Sequence, residues 1–474
     1  MATGLLGIAL SGLAAAQAGI STTQHNISNI NTAGFRRQEV DFSARNANLF
    51  SSSYYGSGVG VSTIRNLYSQ FQDSQVLLNQ AQLSRNQAFA GQASQIDELA
   101  GDADSGLTSA LDAFFSASQT VASDPTSNAA RQVMLSSGRN LAARFNNLAT
   151  AFGDMRIDSN REVAATVGRI NTLTSQIADL SGNIARAEGT TGADQPANDL
   201  RDQRDHLVSE LNKLINVSPV QQTDGAFNLY VGSGQPLLVG TSAIRMSSIS
   251  DPTNPEFSVP ALNLPGGITL PLDSALINGG SLGGLLAARD TVLRPAMEDL
   301  DTLAFELATR FNAQHQLGFD KTGTTGDFFF ADLSILAAPP ANAATAFAMH
   351  ANMTNPNLIA ASATPTGSPG DNTNALLLAE LQIQPNTVNG SDTFSSAYAQ
   401  LVARTATLAS EADINVAAYE TLTRLSVQAQ QSVSGVNLDE EAANLIRFQQ
   451  AYQASAKAMQ IASTLFDELL GVLR

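Results

Sequence analysis

Apolar residues recur at alternating spacings of four and three near both ends of the chain. Near the N-terminus they are Leu6, Leu10, Leu13, Ile20 and Ile27, with Gln17 and Gln24 filling the series. Near the C-terminus they are Leu438, Ala442, Leu445, Tyr452, Ala456, Met459, Phe466, Leu470 and Leu473. This spacing lays one stripe along each of two helices, as at a coiled-coil seam. Neither helix can bury its stripe alone, so each requires the other terminus, a neighbouring copy, or both. The first helix is expected to end near Asn31, with Gly34 in the left-handed conformation that closes it. From Ser74 to Val217 the pattern is also helical. There Val163, Val167, Ile170, Ile177 and Ile184, supported by Leu173 and Leu180, form a stripe that reads as the core of a bundle. Asp124-Pro125 predicts a break in this region, with Asp124 as cap and Pro125 at the first position of the next helix.

Between the helical stretches the pattern changes. Residues 41–70, rich in Ser, Asn, Gly and Tyr, read as extended or irregular chain. The run Gly56-Ser57-Gly58-Val59-Gly60 follows no strand and opens no helix, so it reads as a flexible or closely packed turn and not a phosphate loop. After Val217, short apolar runs and an Asp224-Gly225 turn before Ala226–Val231 predict a hairpin. Strand-like pieces continue to residue 275. Helical pattern returns over Gly283–Gln316, a loop-rich stretch with Pro339-Pro340 fills 318–389, and the last helices start near Phe394. The expected fold is α+β and elongated, with discontinuous helical domains and β-rich insertions projecting from them. Its parts are a coiled-coil segment 1–40 pairing with 434–474, a linker and bundle 41–217, and a β-rich insertion 218–276. The bundle continues at 277–317, a second loop or β insertion takes 318–393, and the bundle returns at 394–433.

Composition narrows the function. The net charge is −17 and Lys occurs only at 213, 321 and 457, which excludes nucleic acid and anionic membranes as partners. There are no cysteines, hence no disulfides or thiolate metal sites. No apolar run is expected to span a bilayer. Residues 1–35 carry no Lys, Arg, Asp or Glu, so the apolar stretch lacks the positive segment of a cleavable signal and reads as a retained amphipathic helix. The four histidines at 25, 206, 315 and 350 share no metal-ligand spacing, and no cofactor, metal or catalytic residue is assigned. Gly279-Gly280-Ser281-Leu282-Gly283 matches a nucleophile elbow in form only. It lacks the preceding buried strand, and Ser281 as a helix cap explains the same residues. Asn437 with Glu440 reads as a capping box, and the acid run Asp439-Glu440-Glu441 suits the helix dipole.

His25-Asn26-Ile27-Ser28-Asn29-Ile30-Asn31-Thr32-Ala33-Gly34-Phe35-Arg36-Arg37 resembles the N-terminal motif of the bacterial flagellar rod, hook and hook-associated proteins. Ser434-Gly435-Val436-Asn437-Leu438-Asp439-Glu440-Glu441, followed by Gln449–Ala454, resembles their C-terminal motif. Internal stretches resemble the hook–filament junction members of that family. These are Asp202-Gln203-Arg204-Asp205, Leu229–Leu237, Gly283–Asp290 and Phe311–His315. The resemblance is weak over 240–275 and 331–350.

The resemblance implies a structural subunit of the extracellular flagellum at the hook–filament junction, with no enzymatic activity. It further implies export through the flagellar type III apparatus without a cleaved signal, and terminal helices disordered in the monomer that form the inner layer of the assembled tube. The implied partners are further copies of the chain, the hook protein, the second junction protein, and a cytoplasmic export chaperone on the C-terminal helix. The residues expected to carry self-assembly are Leu6, Leu10, Leu13, Ile20, Asn26, Ile27, Asn29, Gly34 and Phe35 at the N-terminus. At the C-terminus Leu438, Leu445, Tyr452, Met459, Phe466 and Leu470 are expected to carry assembly and chaperone binding. The rivals are a hook or distal-rod subunit, a secreted serine hydrolase using Ser281, and a surface-interaction module such as an adhesin.

Overall fold

Residues 2–28 contain neither proline nor a Lys, Arg, Asp or Glu side chain, and they form one helix, α1 (Ala2–Ser28). The computed structural model describes residues 2–472 apart from 51–52, 102–105, 192–195, 223–225, 337–340, 367–369 and 386–390. After α1 the chain turns, ending the helix three residues before the expected Asn31. Gly34 takes φ +80°, and a Cβ there would lie 2.9 Å from His206 Cβ, so the position suits only glycine. The stretch expected to be extended or irregular is an antiparallel hairpin. Its stem is β1 (Gln38–Ala44) and β4 (Val59–Asn66), extended by the short β2 (Asn48–Phe50) and β3 (Ser53–Tyr55).

Four helices follow: α2 (Gln70–Gly101), α3 (Leu107–Ser123), α4 (Asn128–Thr191) and α5 (Asn198–Leu214). The break at Asp124-Pro125 is present but built differently from the expectation. Asp124 is the C-cap of α3, and its Oδ1 accepts the Thr126 N–H and hydroxyl, an Asx turn that competes with capping the next helix. Ser127 Oγ accepts the Ala130 N–H at 3.2 Å and starts α4 instead. After α5 come β5 (Val217–Gln221), β6 (Phe227–Val231), β7 (Gln235–Val239) and β8 (Ser242–Ala243), an antiparallel meander. β5 and β6 pair as a hairpin, whereas the Asp224-Gly225 turn lies outside the described residues. A three-stranded sheet of β9 (Met246–Ser250), β10 (Ser258–Leu264) and β11 (Ile268–Pro271) follows, with β10 central. Then α6 (Gly280–Ala288) passes through one π-helical turn into α7 (Arg294–Gln316). The chain ends with α8 (Ala343–Ala346), α9 (Thr373–Glu380), α10 (Phe394–Ser434) and α11 (Leu438–Val472). The fold is α+β, with long helices and small antiparallel sheets.

Two cores share α4. Its C-terminal half carries the expected stripe, and Val163, Val167, Ile170 and Ile177 pack against Leu229, Leu237 and Leu262 of the sheets and Leu282 of α6. Its N-terminal half enters a core of phenylalanines: Phe114, Phe145, Phe152, Phe311, Phe329, Phe330 and Phe347. Phe329, Phe330 and Phe347 come from the loop-rich segment after α7. That segment was expected to project, and it packs into the bundle instead. Asn312 of α7 holds it, accepting the N–H groups of Phe329 and Phe330 and donating to Phe330 O. Arg131 of α4 is 2% exposed and donates to the carbonyls of Pro125, Pro356 and Ile359. Between the cores α4 is polar, where Asn160 accepts the Ser258 N–H and donates to Glu256 O.

His315 lies fully buried at the end of α7. Its Nδ1 donates to Asp327 O at 2.6 Å and its Nε2 accepts the Ala360 N–H at 3.0 Å, which fixes a neutral tautomer. Burial pushes its pKa down to about 4, against about 6.5 in an unfolded chain. The unfolded chain therefore takes up a proton that the fold refuses. The contribution is intact above about pH 6.5 and is lost toward pH 4, with a full cost of about 3 kcal/mol. Between pH 7.5 and 4.5 the urea midpoint of the wild-type bundle should fall more steeply than that of His315→Gln. Parallel curves from circular dichroism would refute the assignment.

Candidate functional site: the paired termini and their clasp

α1 and α11 lie side by side and antiparallel. Each terminal helix therefore finds its partner at the other end of the same chain, in place of the disorder expected for the monomer. On α1 the packed positions are Ala9, Gly12, Ala16, Gly19, Thr23 and Asn26, a three-four series of small residues. On α11 they fall on Glu441, Phe448, Ser455 and Ala462, seven apart. A Cβ at Gly12 would lie 2.7 Å from Ser455 Oγ, and one at Gly19 would lie 2.7 Å from the Phe448 ring. Without side chains at these two positions, the helix axes approach closely.

The expected period is present, but the expected phase is not the packed one. Leu13 is buried, Leu6, Ile20 and Ile27 are half-buried on the flank, and Leu10 is 60% exposed. On α11, Leu445 and Met459 are half-buried. Leu438, Tyr452 and Phe466 are 51%, 41% and 37% exposed, and the Leu470 side chain lies outside the described residues. The phase was assigned from the bulky residues, whereas alanine and glycine make the intramolecular contact. By length and composition alone, residues 4–28 are also apolar enough to cross a membrane, with mean hydropathy 1.5, contrary to the sequence expectation. The α11 contact occupies one face of that helix.

At the end of α1 the motif residues form a clasp. Asn26 is buried, accepts the Gln38 N–H and donates to Gln38 O, both at 2.9 Å, and reaches Glu441 Oε2 at 3.2 Å. Asn29 donates to His25 O at 3.1 Å and accepts the Thr32 hydroxyl at 3.1 Å, which shapes the turn. Phe35 meets the His25 ring edge-on at 5.4 Å. The next two residues point in opposite directions. Arg37 donates to Glu441 Oε1 and Glu440 Oε2, each at 2.7 Å, and its backbone N–H donates to Ser434 O. Arg36 donates to Asp73 of α2 at 2.9 Å and Asp205 of α5 at 2.5 Å, while its N–H donates to Asp202 Oδ2 at 3.0 Å. Burial pushes the Asp202 carboxyl up to about 7, with Asp205 and Asp199 adding repulsion against the pull of Arg36.

The clasp corrects the capping-box expectation. Asn437 Oδ1 does cap α11, accepting the Asp439 N–H at 3.0 Å. Glu440, however, is spent on Arg37 and not on the Asn437 N–H, because a guanidinium is the stronger partner. Arg36, Arg37, Asp73 and Glu441 were missed as site residues. The signal was the first pair of charges after a neutral stretch, which pattern analysis passes over.

Other candidates fare differently. Ser281 does not cap α6: Gly279 does, Ser281 is already inside the helix, and its Oγ has no hydrogen-bond partner. Gly58, at φ +92°, fits against Ser11, whose Oγ accepts the Val59 N–H at 3.2 Å, so the glycine run is a packed turn. Among the described residues no group of three His, Asp or Glu side chains is placed to hold a metal ion.

Comparison with known proteins agrees with the fold. The family described as the flagellar hook-associated protein FlgK helical domain matches residues 93–330. The C-terminal family of the flagellar basal body rod FlgEFG proteins matches residues 427–472, which reflects the shared terminal architecture. Flagellar hook-associated protein 1 of Escherichia coli K12 is 32% identical, with 99% of each chain covered. Its namesake in Bacillus subtilis is 27% identical, covering 97% of this chain and 96% of the relative. The flagellar hook junction protein FlgK from Burkholderia pseudomallei has a similar fold, with TM-score 0.68 and 22% identity, over 76% of this chain and 100% of that one. The chain therefore belongs to the family of flagellar hook-associated protein 1, structural components of the flagellum at the hook–filament junction.

Proposed function

We propose that this chain is an exported, non-enzymatic subunit that builds a ring through the outward faces of its paired terminal helices. One observation carries this. The small-residue contact consumes little apolar surface, so Leu5, Ile8 and Leu10 of α1 and Ile446, Ile461 and Leu465 of α11 remain more than 40% exposed. Large apolar side chains held outward on a rigid pair suit burial against neighbouring copies. The absence of Lys, Arg, Asp and Glu in residues 1–35 suits the same role, since none of these side chains has to be desolvated when α1 enters a crowded interior. In this proposal the neighbours along the axis are the hook protein below and the second junction protein above. Leu445, Tyr452, Met459 and Phe466 of α11 serve the export chaperone before assembly. The uncleaved N-terminal segment serves the type III apparatus. Asn26, Asn29, Gly34 and Phe35 serve assembly by shaping the clasp. A hydrolase using Ser281 is disfavoured by its place inside α6, and motility should survive Ser281→Ala.

Two experiments test the proposal. A Leu or Phe to Ala change costs about 2–5 kcal/mol where the side chain is buried. Leu445 is half-buried and Phe466 exposed in the single chain, so the cost falls on the assembly. The double variant Leu445→Ala, Phe466→Ala should leave both cores melting as before while filaments fail to grow. A large drop in the melting midpoint of the cores would refute the proposal.

Glu441→Ala addresses the clasp. It strands Arg37 and Asn26, and removing one partner of a buried pair costs about 3–5 kcal/mol. Amide exchange over residues 9–26 should accelerate about a hundredfold or more, with bundle amides unchanged and motility lost. Unchanged protection of α1 would show that Glu441 does not hold the pair.

A further inference from the structure

The joint between the terminal pair and the bundle contains more negative than positive charge. Asp73, Asp202 and Asp205 converge on the single guanidinium of Arg36, at 2.9, 3.9 and 2.5 Å. Asp73 and Asp205 occupy its donors, and Asp205 is shared with Arg204 at 2.9 Å. Asp202 is 5% exposed and has no cation of its own. It accepts only neutral donors, the Arg36 N–H at 3.0 Å and the Asn66 amide of β4 at 2.6 Å. The second amide atom, Asn66 Oδ1, is buried with no partner. A half-turn of that amide brings its oxygen to face Asp202. The 2.6 Å separation then suits an O–H···O bond, for which about 2.5–3.0 Å is usual, better than an N–H···O bond at about 2.7–3.2 Å. The site can thus accommodate a proton on Asp202.

We propose that the terminal coiled coil is fastened to the bundle by a proton-operated joint at Asp202, closed when this carboxyl is neutral and loosened when it ionises. The other groups facing it are fixed by the fold. Arg36 comes from the turn after α1, Asn66 from β4, and Asp73 from α2, where Gln430 of α10 also holds it. Asp199, Arg204, Asp205 and His206 come from α5. His25 of α1 reaches the site through Asp199, at 3.1 Å. Burial, with Asp199 and Asp205 nearby, sets the closed-state carboxyl at about 7, against about 3.9 when the joint opens to water. The closed form therefore binds the extra proton. Closure is favoured fully below about pH 4, and the advantage is lost as pH rises through 7. Between pH 5.5 and 8.5 the closing equilibrium should weaken about 30-fold.

The chain has no cysteine. Spin labels at Ser175→Cys on α4 and Gln450→Cys on α11 therefore report the joint in the full-length protein. The distance distribution should be narrow at pH 5.5 and broaden with a midpoint between pH 5.5 and 7, changing little above that. With Asp202→Asn added it should stay narrow to pH 8.5. A wild-type distribution that is the same at both pH values overturns the proposal, as does a transition that survives in Asp202→Asn. His25 and His206 stand beside the joint, so His25→Gln with His206→Gln should keep the transition; its loss would assign the switch to them instead. Should Asp202→Asn fail to fold by circular dichroism, Asn66→Asp replaces it. A further carboxyl there adds repulsion to the closed joint, so the midpoint should move to lower pH, and an unmoved midpoint would count against the joint.

Discussion

The organisation of the molecule depends on one buried carboxylate. Glu441 begins α11, is 2% exposed, and is met by Arg37 at 2.7 Å and Asn26 at 3.2 Å. Residues 26, 37 and 441 come from a helix end, a turn and the opposite terminus. A charge with so little access to water tolerates no loose geometry, because every missing partner leaves an uncompensated ion. The two termini are thus registered against each other at one end, and the small-residue contact continues that register away from the clasp. Gly19 meets Phe448 seven residues on, and Gly12 meets Ser455 seven beyond that. Shifting the pair by a turn would place Phe448 against the Cβ of Ala16 or Thr23 and take Glu441 away from Asn26.

The second consequence is a division of labour between side-chain sizes. In a two-helix coil stabilised by leucines, the large residues face inward and little is left outside. Here the close approach uses Ala9, Gly12, Ala16 and Gly19, so Leu5, Ile8 and Leu10 of the same helix remain exposed. Such a pair is weak as an isolated unit, since alanine and glycine bury little area. It relies on the clasp and on the hairpin, where Ser11 binds Val59 and Phe42 meets Phe448 at 6.1 Å between ring centres. The free ends of both helices lie farthest from Glu441.

Much of this was legible in the sequence, and the misses have specific physical causes. The four-three periods of α1, α4 and α11 were visible because period survives any choice of residue weights. The stripe Val163–Ile177 was also assigned to the correct face, since its bulky residues are the ones that pack. On α1 the same method found the period and missed the face, because glycine adds no hydrophobic weight even where its missing Cβ decides the packing. The segment after α7 looked like surface because it is loop-rich. Its burial rests on Phe329, Phe330 and Phe347, which are tied down by Asn312 and Asn146 and not by any periodic element. The clasp was invisible for a related reason. Arg36 and Arg37 are adjacent in sequence, yet they serve partners between 37 and 404 residues away.

The two arginines also explain how separate bodies behave as one. α4 joins the phenylalanine core to the sheet-covered core through a polar stretch, where Arg156 pairs with Glu256. The terminal pair joins the second of these regions through Arg36, at α5 and α2. Both joints are polar, and both lie where apolar packing is interrupted. Apolar contact resists separation but gives way to sliding, whereas paired charges and directed hydrogen bonds hold an angle. A chain of packed bodies connected at polar joints holds defined angles between them. The carboxylate excess around Arg36 makes the joint nearest the termini the more responsive of the two. At α4 a single arginine meets a single glutamate. At Arg36 one guanidinium is divided among three acids, so adding or removing one proton changes the balance of the whole joint.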